Sequence, residues 1–180
     1  MKKVICALLA LTLMISMAAC GGKKSEETTA PTVANVEGTM EELLNKVIEG
    51  RPVEFAGMVL PFDLTDTSEE AQWQFKSLPG LEDASQITEA AAYQPLIGSM
   101  AFSMVMVRTA AGVDAKAVAE SMKAGVDPRR WVCVEADDML VAGCGDVVML
   151  IMVSTANDLT AQSFVDAFQS VAGRDCDFVI

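Results

Sequence analysis

Residues 146–154 read DVVMLIMVS, and residues 99–108 read SMAFSMVMVR. These are the two most apolar strand candidates in the chain, and both are too short to span a membrane. Near-continuous apolar runs of this kind are typical of strands that are buried on both faces of a sheet. The turn sequence GCGD at 143–146 predicts a hairpin that leads into the first of these runs. We therefore expect both runs to form the centre of one sheet.

A weak internal repeat with an offset of 46 residues contains the ends of both runs. MVRTAAGVDAKAVAESM at 106–122 aligns with MVSTANDLTAQSFVDAF at 152–168. The hydrophobic pattern of each copy predicts two strands followed by a helix. The expected elements are strands 87–94 and 99–108 with a helix at 114–124, then strands 131–142 and 146–154 with a helix at 160–172.

An antiparallel ββαββα order is a circular permutation of the ferredoxin-like βαββαβ plan. The predicted fold is therefore α+β, a two-layer antiparallel sheet with its helices on one face, plus an N-terminal helix. The N-terminal segment 39–81, or a partner, would then cover the other face, and a homodimer is one way to bury it. Methionines on the central strands, such as Met104 and Met149, fit core packing better than a partner-binding surface.

The N-terminal segment has clear helix signals. Thr39 and Glu42 form a capping-box pattern, and Gly50 followed by Pro52 should end the first helix. Thr67 with Glu70 offers a second capping box. The following AQWQFKSL at 71–78 fits either a strand or a short helix, so both alternatives remain open here.

The first twenty residues have the features of a lipoprotein signal. Lys2 and Lys3 precede an apolar stretch that is too short for a comfortable transmembrane helix. The stretch ends in Met17-Ala18-Ala19-Cys20, which resembles the lipobox of bacterial lipoproteins, with Met17 in place of the usual leucine. We expect residues 1–19 to be a signal peptide and Cys20 to carry the lipid. Two acyl chains on Cys20 would anchor the protein stably in a membrane.

The polar sequence GGKKSEETTAPTVANVEG follows at 21–38 and has no apolar periodicity. It predicts a disordered tether over 20–38. Residues 39–180 are then expected to form a single α+β domain, with its core in 87–173. After removal of residues 1–19, which hold two lysines and no acids, the formal charge changes from −12 to −14. Such acidity argues against nucleic acid and anionic lipid headgroups as partners.

The chain has no histidine, which excludes histidine triads, Cys-His pairs and histidine metal ligands. Glycine-rich phosphate loops and zinc-type cysteine spacings are also missing from the sequence, so we expect no cofactor and no metal. With Cys20 lipidated, Cys133, Cys144 and Cys176 remain. Cys133 and Cys144 would face each other across a hairpin and form a disulfide, or all three are small buried apolar residues.

The triplet Arg129-Arg130-Trp131 is the one local pair of basic residues in the predicted domain, and it is the candidate binding site. It suits an anion or a saccharide, with Trp131 as a stacking platform. The alternative is a solvated turn from which Trp131 enters the core at the start of a strand. No residue is assigned a catalytic role.

The lipobox, the polar tether, the capped first helix, the strand VVMLIMVS and the C-terminal helix together resemble small surface lipoproteins of Gram-positive-type bacteria that are grouped as a domain of unknown function. The resemblance implies a lipid-anchored domain on the extracytoplasmic face of the cell membrane. It assigns no catalytic residue. We expect a non-enzymatic binding or accessory domain of the cell envelope with an unknown partner. The alternatives are an envelope hydrolase that uses carboxylates and a homodimeric structural module.

Overall fold

The computed structural model describes residues 35–180. The predicted signal peptide, Cys20 and the tether up to residue 34 lie outside the described residues. The helices are α1 (Met40–Gly50), α2 (Glu69–Ser77), α3 (Ala115–Gly125) and α4 (Ala161–Ala172), with a 3-10 turn at Thr155–Asn157. The strands are β1 (Gly57–Pro61), β2 (Ile87–Pro95), β3 (Phe102–Thr109), β4 (Asp138–Cys144), β5 (Val147–Val153) and β6 (Phe178–Val179).

These strands form one antiparallel sheet in the order β1-β2-β3-β5-β4-β6. The α+β class and the antiparallel sheet are therefore confirmed. β3 and β5 are neighbours in the middle of the sheet, and every residue of β5 is buried. This placement explains why their sequences are apolar without alternation, since side chains on both faces of a central strand pack into a core. The hairpin at 143–146 is also confirmed, with Gly145 at φ 64°.

The helices cover both faces of the sheet, and α3 and α4 lie on opposite faces. The expectation that these two helices share one face, with the N-terminal segment on the other, is therefore wrong. One core contains α1 and α4, with Leu44 and Phe164 packed on the face of Phe102 and Met104. The other core lies on the opposite face and contains α2 and α3 side chains: Phe75, Val118, Ala119 and Met122. Because the described helices cover both faces, the reason for expecting a homodimer no longer applies.

The connection to β6 explains where the helices lie. α3 lies in the connection from β3 to β4, which passes over β5, and α4 lies in the connection from β5 to β6, which passes over β4. Both connections run in the same direction across the sheet. Crossovers of this kind are almost always right-handed. Because β3 and β5 are antiparallel, two right-handed crossovers in the same direction place their helices on opposite faces. In the ferredoxin-like plan the second crossover runs back, which brings both helices to one face.

The two copies of the sequence repeat have the same order of strands and helix, but equivalent residues of the two copies do not occupy equivalent positions in the sheet. Met106 and Met152 are equivalent in the sequence alignment, but Met106 belongs to the α1–α4 core and Met152 to the α2–α3 core. The helix residues Val118 and Phe164 are divided between the two cores in the same way. The internal repeat therefore remains a prediction at the level of sequence.

The N-terminal helices begin where polar side chains can cap them. Thr39 and Glu42 form the expected capping box of α1. α2 is a helix, which resolves the ambiguity of residues 71–78. Its N-cap is Ser68, whose hydroxyl accepts a hydrogen bond from the N–H of Ala71, and not Thr67 as the sequence suggested.

Two expectations in the C-terminal half need correction. β4 begins at Asp138, so Trp131 does not start a strand and residues 131–137 are irregular. Cys144 forms a disulfide with Cys176, across a Cα–Cα distance of 4.4 Å, and not with Cys133. Cys133 is an exposed free thiol. The hairpin pairs Cys144 with Val147, and residue 133 lies before the strand, so it has no register position opposite Cys144.

Candidate binding groove at one end of the sheet

Charged residues meet at the end of the sheet where the chain enters the domain, which we call the proximal end. Arg108, near the end of β3, pairs with Asp146 and lies 3.5 Å from Glu89. Its guanidinium also donates hydrogen bonds of 3.1 and 2.6 Å to the carbonyl oxygens of Val36 and Gly38. Asp146 accepts a 2.9 Å hydrogen bond from the N–H of Val36. Arg108 therefore has one ionic partner in β2, another in the turn between β4 and β5, and backbone partners in the incoming chain.

Glu89 connects this cluster to the start of α1. Its carboxylate accepts a 2.8 Å hydrogen bond from the N–H of Met40, the first residue of that helix. A carboxylate at this position satisfies a free N–H group and interacts favourably with the helix dipole. Val36 is only 6% exposed, so the folded part begins before residue 39, the boundary that we expected from the sequence. The proximal end thus fixes the point at which the N-terminal segment leaves the domain.

A groove of about 510 Å³ lies at the opposite, distal end of the sheet, on the face that α2 and α3 cover. α2 contributes Trp73 to its lining, the loop after α3 contributes Arg130 and Trp131, and Gln94 comes from the distal end of β2. The chain has two tryptophans, and both line this groove. Trp73 is 70% exposed, whereas Trp131 is half-buried. We call this cavity the tryptophan groove.

Arg130 has fixed neighbours in the tryptophan groove. Its guanidinium donates a 2.6 Å hydrogen bond to the carbonyl oxygen of Ser77 and a 3.0 Å hydrogen bond to Oε1 of Gln94. The guanidinium carbon lies 4.7 Å from the ring centroid of Trp131, within the range of a cation–π contact. Gln94 in turn donates a 2.8 Å hydrogen bond to the buried hydroxyl of Ser103. The sheet therefore holds the cation through Gln94.

The charge of Arg130 has no ionic partner in the described part of the chain. No Asp or Glu oxygen of residues 35–180 lies within 4.0 Å of its nitrogens, and both of its hydrogen-bond acceptors are neutral. Burial lowers the pKa of Arg130 to about 10, and the nearby Asp127 acts in the opposite direction. The guanidinium therefore stays charged at neutral pH. A partly buried cation is costly unless an anion compensates it, which makes Arg130 the natural contact for an anionic group.

A close backbone contact shapes the groove between α2 and α3. Gly80 follows α2 and has φ +73°. Gly125 is the last residue of α3 and lines the groove. A Cβ placed on Gly125 would lie 1.9 Å from the carbonyl oxygen of Gly80. No side chain fits in that space, because real Cβ contacts are never so short. The two glycines therefore bring the end of α3 against the loop that follows α2.

A second cavity, of about 470 Å³, lies at the distal end on the face that α1 and α4 cover. Arg51 lines it and donates hydrogen bonds of 3.0 Å to the Ser163 hydroxyl and 2.7 Å to the carbonyl oxygen of Pro52. Its guanidinium lies 5.3 Å from the ring centroid of Phe164. Because Ser163 and Phe164 belong to α4, Arg51 mainly joins the end of α1 to the start of α4.

Exposed apolar side chains collect at the distal end. Among residues 35–180, six large apolar side chains are clearly exposed, and five of them lie at or beside this end: Met58, Trp73, Leu96, Ile97 and Val132. Met58 pairs with Gln94 across β1 and β2, and Leu96 and Ile97 follow β2 directly. The sixth, Val179, belongs to β6. An uneven distribution of this kind is typical of an interaction surface.

The structure separates the three residues of the predicted binding site. Arg130 and Trp131 line the tryptophan groove together, as the saccharide or anion interpretation requires. Arg129 does not line it; its side chain is 81% exposed and lies 3.4 Å from Glu135. Trp131 also packs against the α2–α3 core, so part of the alternative interpretation holds as well. The predicted lipidation site, Cys20, lies outside the described residues.

Trp73 and Gln94 line the groove although nothing in the sequence singled them out. Trp73 lies in the stretch whose secondary structure was ambiguous, so its side could not be assigned. Gln94 is the penultimate residue of β2, after the apolar centre of that strand, and its polar side chain was the only available signal. Within residues 35–180 no group of three or more acidic or cysteine residues is arranged to hold a metal ion. No helix in this range is long and apolar enough to cross a membrane.

Fold and groove together define a small α+β domain whose N-terminal segment enters at one end and whose cavities and exposed apolar side chains lie at the other. No protein-family model, no curated protein and no solved structure matches the chain. The resemblance to small bacterial surface lipoproteins therefore stays a prediction.

Proposed function

We propose that this protein is a lipid-anchored lipoprotein on the extracytoplasmic face of the cell membrane, and that its domain is a non-enzymatic binding module. Cys20 carries the lipid in this proposal, and the polar stretch that follows it serves as the tether. The distal end of the sheet meets the ligand or partner.

One observation carries the proposal: the incoming chain and the binding features occupy opposite ends of the same sheet. Arg108 and Asp146 hold Val36 at the proximal end, whereas the tryptophan groove lies at the distal end. In a domain attached through its N-terminal segment, this arrangement leaves the groove away from the attachment point. Among residues 35–180, a single carboxylate, Asp127, lines the tryptophan groove, whereas carboxylate-based hydrolysis needs a pair. The groove therefore fits binding better than hydrolysis.

The anchor is tested by growing cells that express the full chain with an alkyne-labelled fatty acid. The expected result is a labelled protein in the membrane fraction. The Cys20→Ala variant should lose both the label and the membrane association. Cys6→Ala is the matched control, because it removes the other cysteine of the first twenty residues and should keep both. Retention of label and membrane association by Cys20→Ala would contradict the proposal.

The orientation is tested by site-specific photo-crosslinking of the full chain in intact cells. A photoreactive residue at Ile97 samples the distal end, and the same residue at Val179 is the control, since both side chains are exposed and apolar. Crosslinked products that form from position 97 and not from position 179 are expected. Identical products from both positions would contradict a distal binding surface.

A further inference from the structure

The chemistry of the tryptophan groove allows a more specific inference, which rests on the proposed function as a binding module. We propose that the groove binds a short saccharide with one anionic group, whose ring stacks on Trp73 or Trp131 and whose acid group pairs with Arg130.

The two tryptophans supply the stacking surface. Aromatic rings contribute large apolar contact areas and accept the C–H faces of pyranose rings. A tryptophan that served only the core would be largely covered, but Trp73 is 70% exposed. It lines the same groove as Trp131, which packs on the core through part of its ring. Two aromatic faces on one cavity suit a ligand made of flat, semi-apolar rings.

Arg130 supplies the charge selectivity. It is partly buried, stays cationic at neutral pH and has no carboxylate of residues 35–180 within ion-pair distance. Hydrogen bonds to Ser77 and Gln94 and the contact with Trp131 fix its orientation. A fixed guanidinium binds carboxylates and phosphates with two parallel hydrogen bonds, so either group can be the acid of the ligand.

The remaining polar side chains of the groove suit hydroxyl groups. Gln74, Gln94 and Asp127 add amide and carboxylate groups to a lining that is otherwise mostly apolar. A few polar groups in an apolar cavity are what orient a small ligand. Lys76 also lines the groove, but its ammonium pairs with Glu82 at 2.7 Å. Arg130 is therefore the principal contact for a negative charge.

The net charge of the protein limits the ligand to a short one. The formal charge is −12, which repels polyanions such as nucleic acids and long acidic polysaccharides. A saccharide with one acid group carries little of that repulsion and still satisfies Arg130. The tryptophan groove, at about 510 Å³, falls in the size range of small-molecule sites.

Tryptophan fluorescence tests the inference directly, because both tryptophans of the chain line the groove. The full chain, in a detergent without a sugar headgroup, is titrated with a disaccharide that contains one hexuronic acid. A disaccharide phosphate and the carboxyl-reduced, neutral disaccharide are titrated in parallel. A saturable change with the hexuronic acid or the phosphate, and binding of the neutral sugar weaker by about tenfold or more, is expected from the loss of a charged hydrogen bond.

Variants separate the groove from the rest of the surface. Trp73→Ala removes an exposed ring and should weaken binding by about tenfold, without unfolding the protein. Arg130→Gln should abolish the preference for the charged sugars. Arg129→Gln is the matched control, since Arg129 lies outside the groove and should change nothing.

Two results would overturn the inference: no saturable change with either charged sugar, or equal affinity for the neutral sugar. The Cys20→Ala chain has the same groove, so it should bind the sugar like the unaltered chain. Failure of the anchor and failure of the saccharide site are therefore distinguished, because the first changes labelling and the second changes the titration.

Discussion

Arg108 and Arg130 are both partly buried arginines at opposite ends of the sheet, but their surroundings differ. Arg108 has two carboxylates, Asp146 and Glu89, and two backbone carbonyl groups as partners. Arg130 has a carbonyl group, an amide and an aromatic ring, with no carboxylate of residues 35–180 within 4.0 Å. Within residues 35–180, carboxylates compensate the charge of Arg108 but not that of Arg130. The first arrangement stabilises the fold, and the second leaves an interaction open for a ligand.

The cysteines repeat this contrast. The disulfide between Cys144 and Cys176 joins the proximal end of β4 to the segment before β6. Cys133 is an exposed free thiol in the irregular loop that follows Trp131. The disulfide and the ion pairs of Arg108 therefore lie where the chain enters the domain, whereas most of the exposed large apolar side chains lie at the distal end.

Reduction of the disulfide should have the largest effect on stability. A crosslink between residues separated by 32 positions restricts the unfolded chain, and its loss should lower the free energy of unfolding by about 3–4 kcal/mol. Denaturant unfolding of the full chain with and without a thiol reductant measures the change. Cys133→Ser is the control and should leave the reductant effect intact. If the reductant left the unfolding midpoint unchanged, the proximal end would not be held by this crosslink.

Replacing the two arginines tests the comparison itself. Arg108→Met should lower the free energy of unfolding by about 2–3 kcal/mol, because it leaves two partly buried carboxylates without a cation. Arg130→Met should lower it by only about 1 kcal/mol, since two hydrogen bonds are lost but a costly desolvated charge is removed as well. Denaturant unfolding measures both. Equal losses for the two variants would contradict the distinction between a compensated and an uncompensated arginine.

Much of the fold could be predicted from the sequence, because local sequence patterns mark its central strands and its helix caps. The apolar run 146–154, the hairpin at 143–146 and the capping box at Thr39 all appear where they were expected. The faces of α3 and α4 could not be predicted. They depend on β6, a strand of two residues that local periodicity does not reveal, and on the handedness of two long-range connections.

The candidate groove was only half predictable for a related reason. Arg130 and Trp131 adjoin in the sequence, so their chemistry was visible there. Trp73 comes from a helix more than fifty residues earlier and reaches the groove only through tertiary packing. The disulfide had the same difficulty, because Cys176 precedes the strand that the sequence did not show. Spacing in the sequence therefore favoured Cys133, which is nearer to Cys144, as its disulfide partner.

Gly125→Ala tests whether the close contact with Gly80 holds the distal groove in shape. The added methyl group would lie 1.9 Å from a carbonyl oxygen, so the end of α3 must move. We expect a loss of roughly 1–3 kcal/mol in unfolding free energy, and a shifted tryptophan emission, as the groove lining rearranges. Gly98→Ala is the matched control, since a Cβ there meets no atom within 4 Å and should leave the emission unchanged. An unaltered spectrum for Gly125→Ala would show that the contact does not shape the groove.

Asp137 should give the smallest effect, and it connects stability at the distal end to pH. The Asp137 carboxylate accepts a 2.6 Å hydrogen bond from the Thr155 hydroxyl and a 2.7 Å hydrogen bond from the Thr155 N–H. Both hydrogen bonds lower the pKa of Asp137 below 3.8, and the bond from the hydroxyl has the larger effect. Because the folded-state pKa is lowered, this contribution is complete above about pH 4 and is lost as the pH falls below 3.8. Thr155→Val should therefore reduce the loss of stability on acidification while keeping the carboxylate. Unfolding curves between pH 2 and 6 measure it. An acid sensitivity equal to that of the unaltered chain would place the acid-labile interactions elsewhere in the domain.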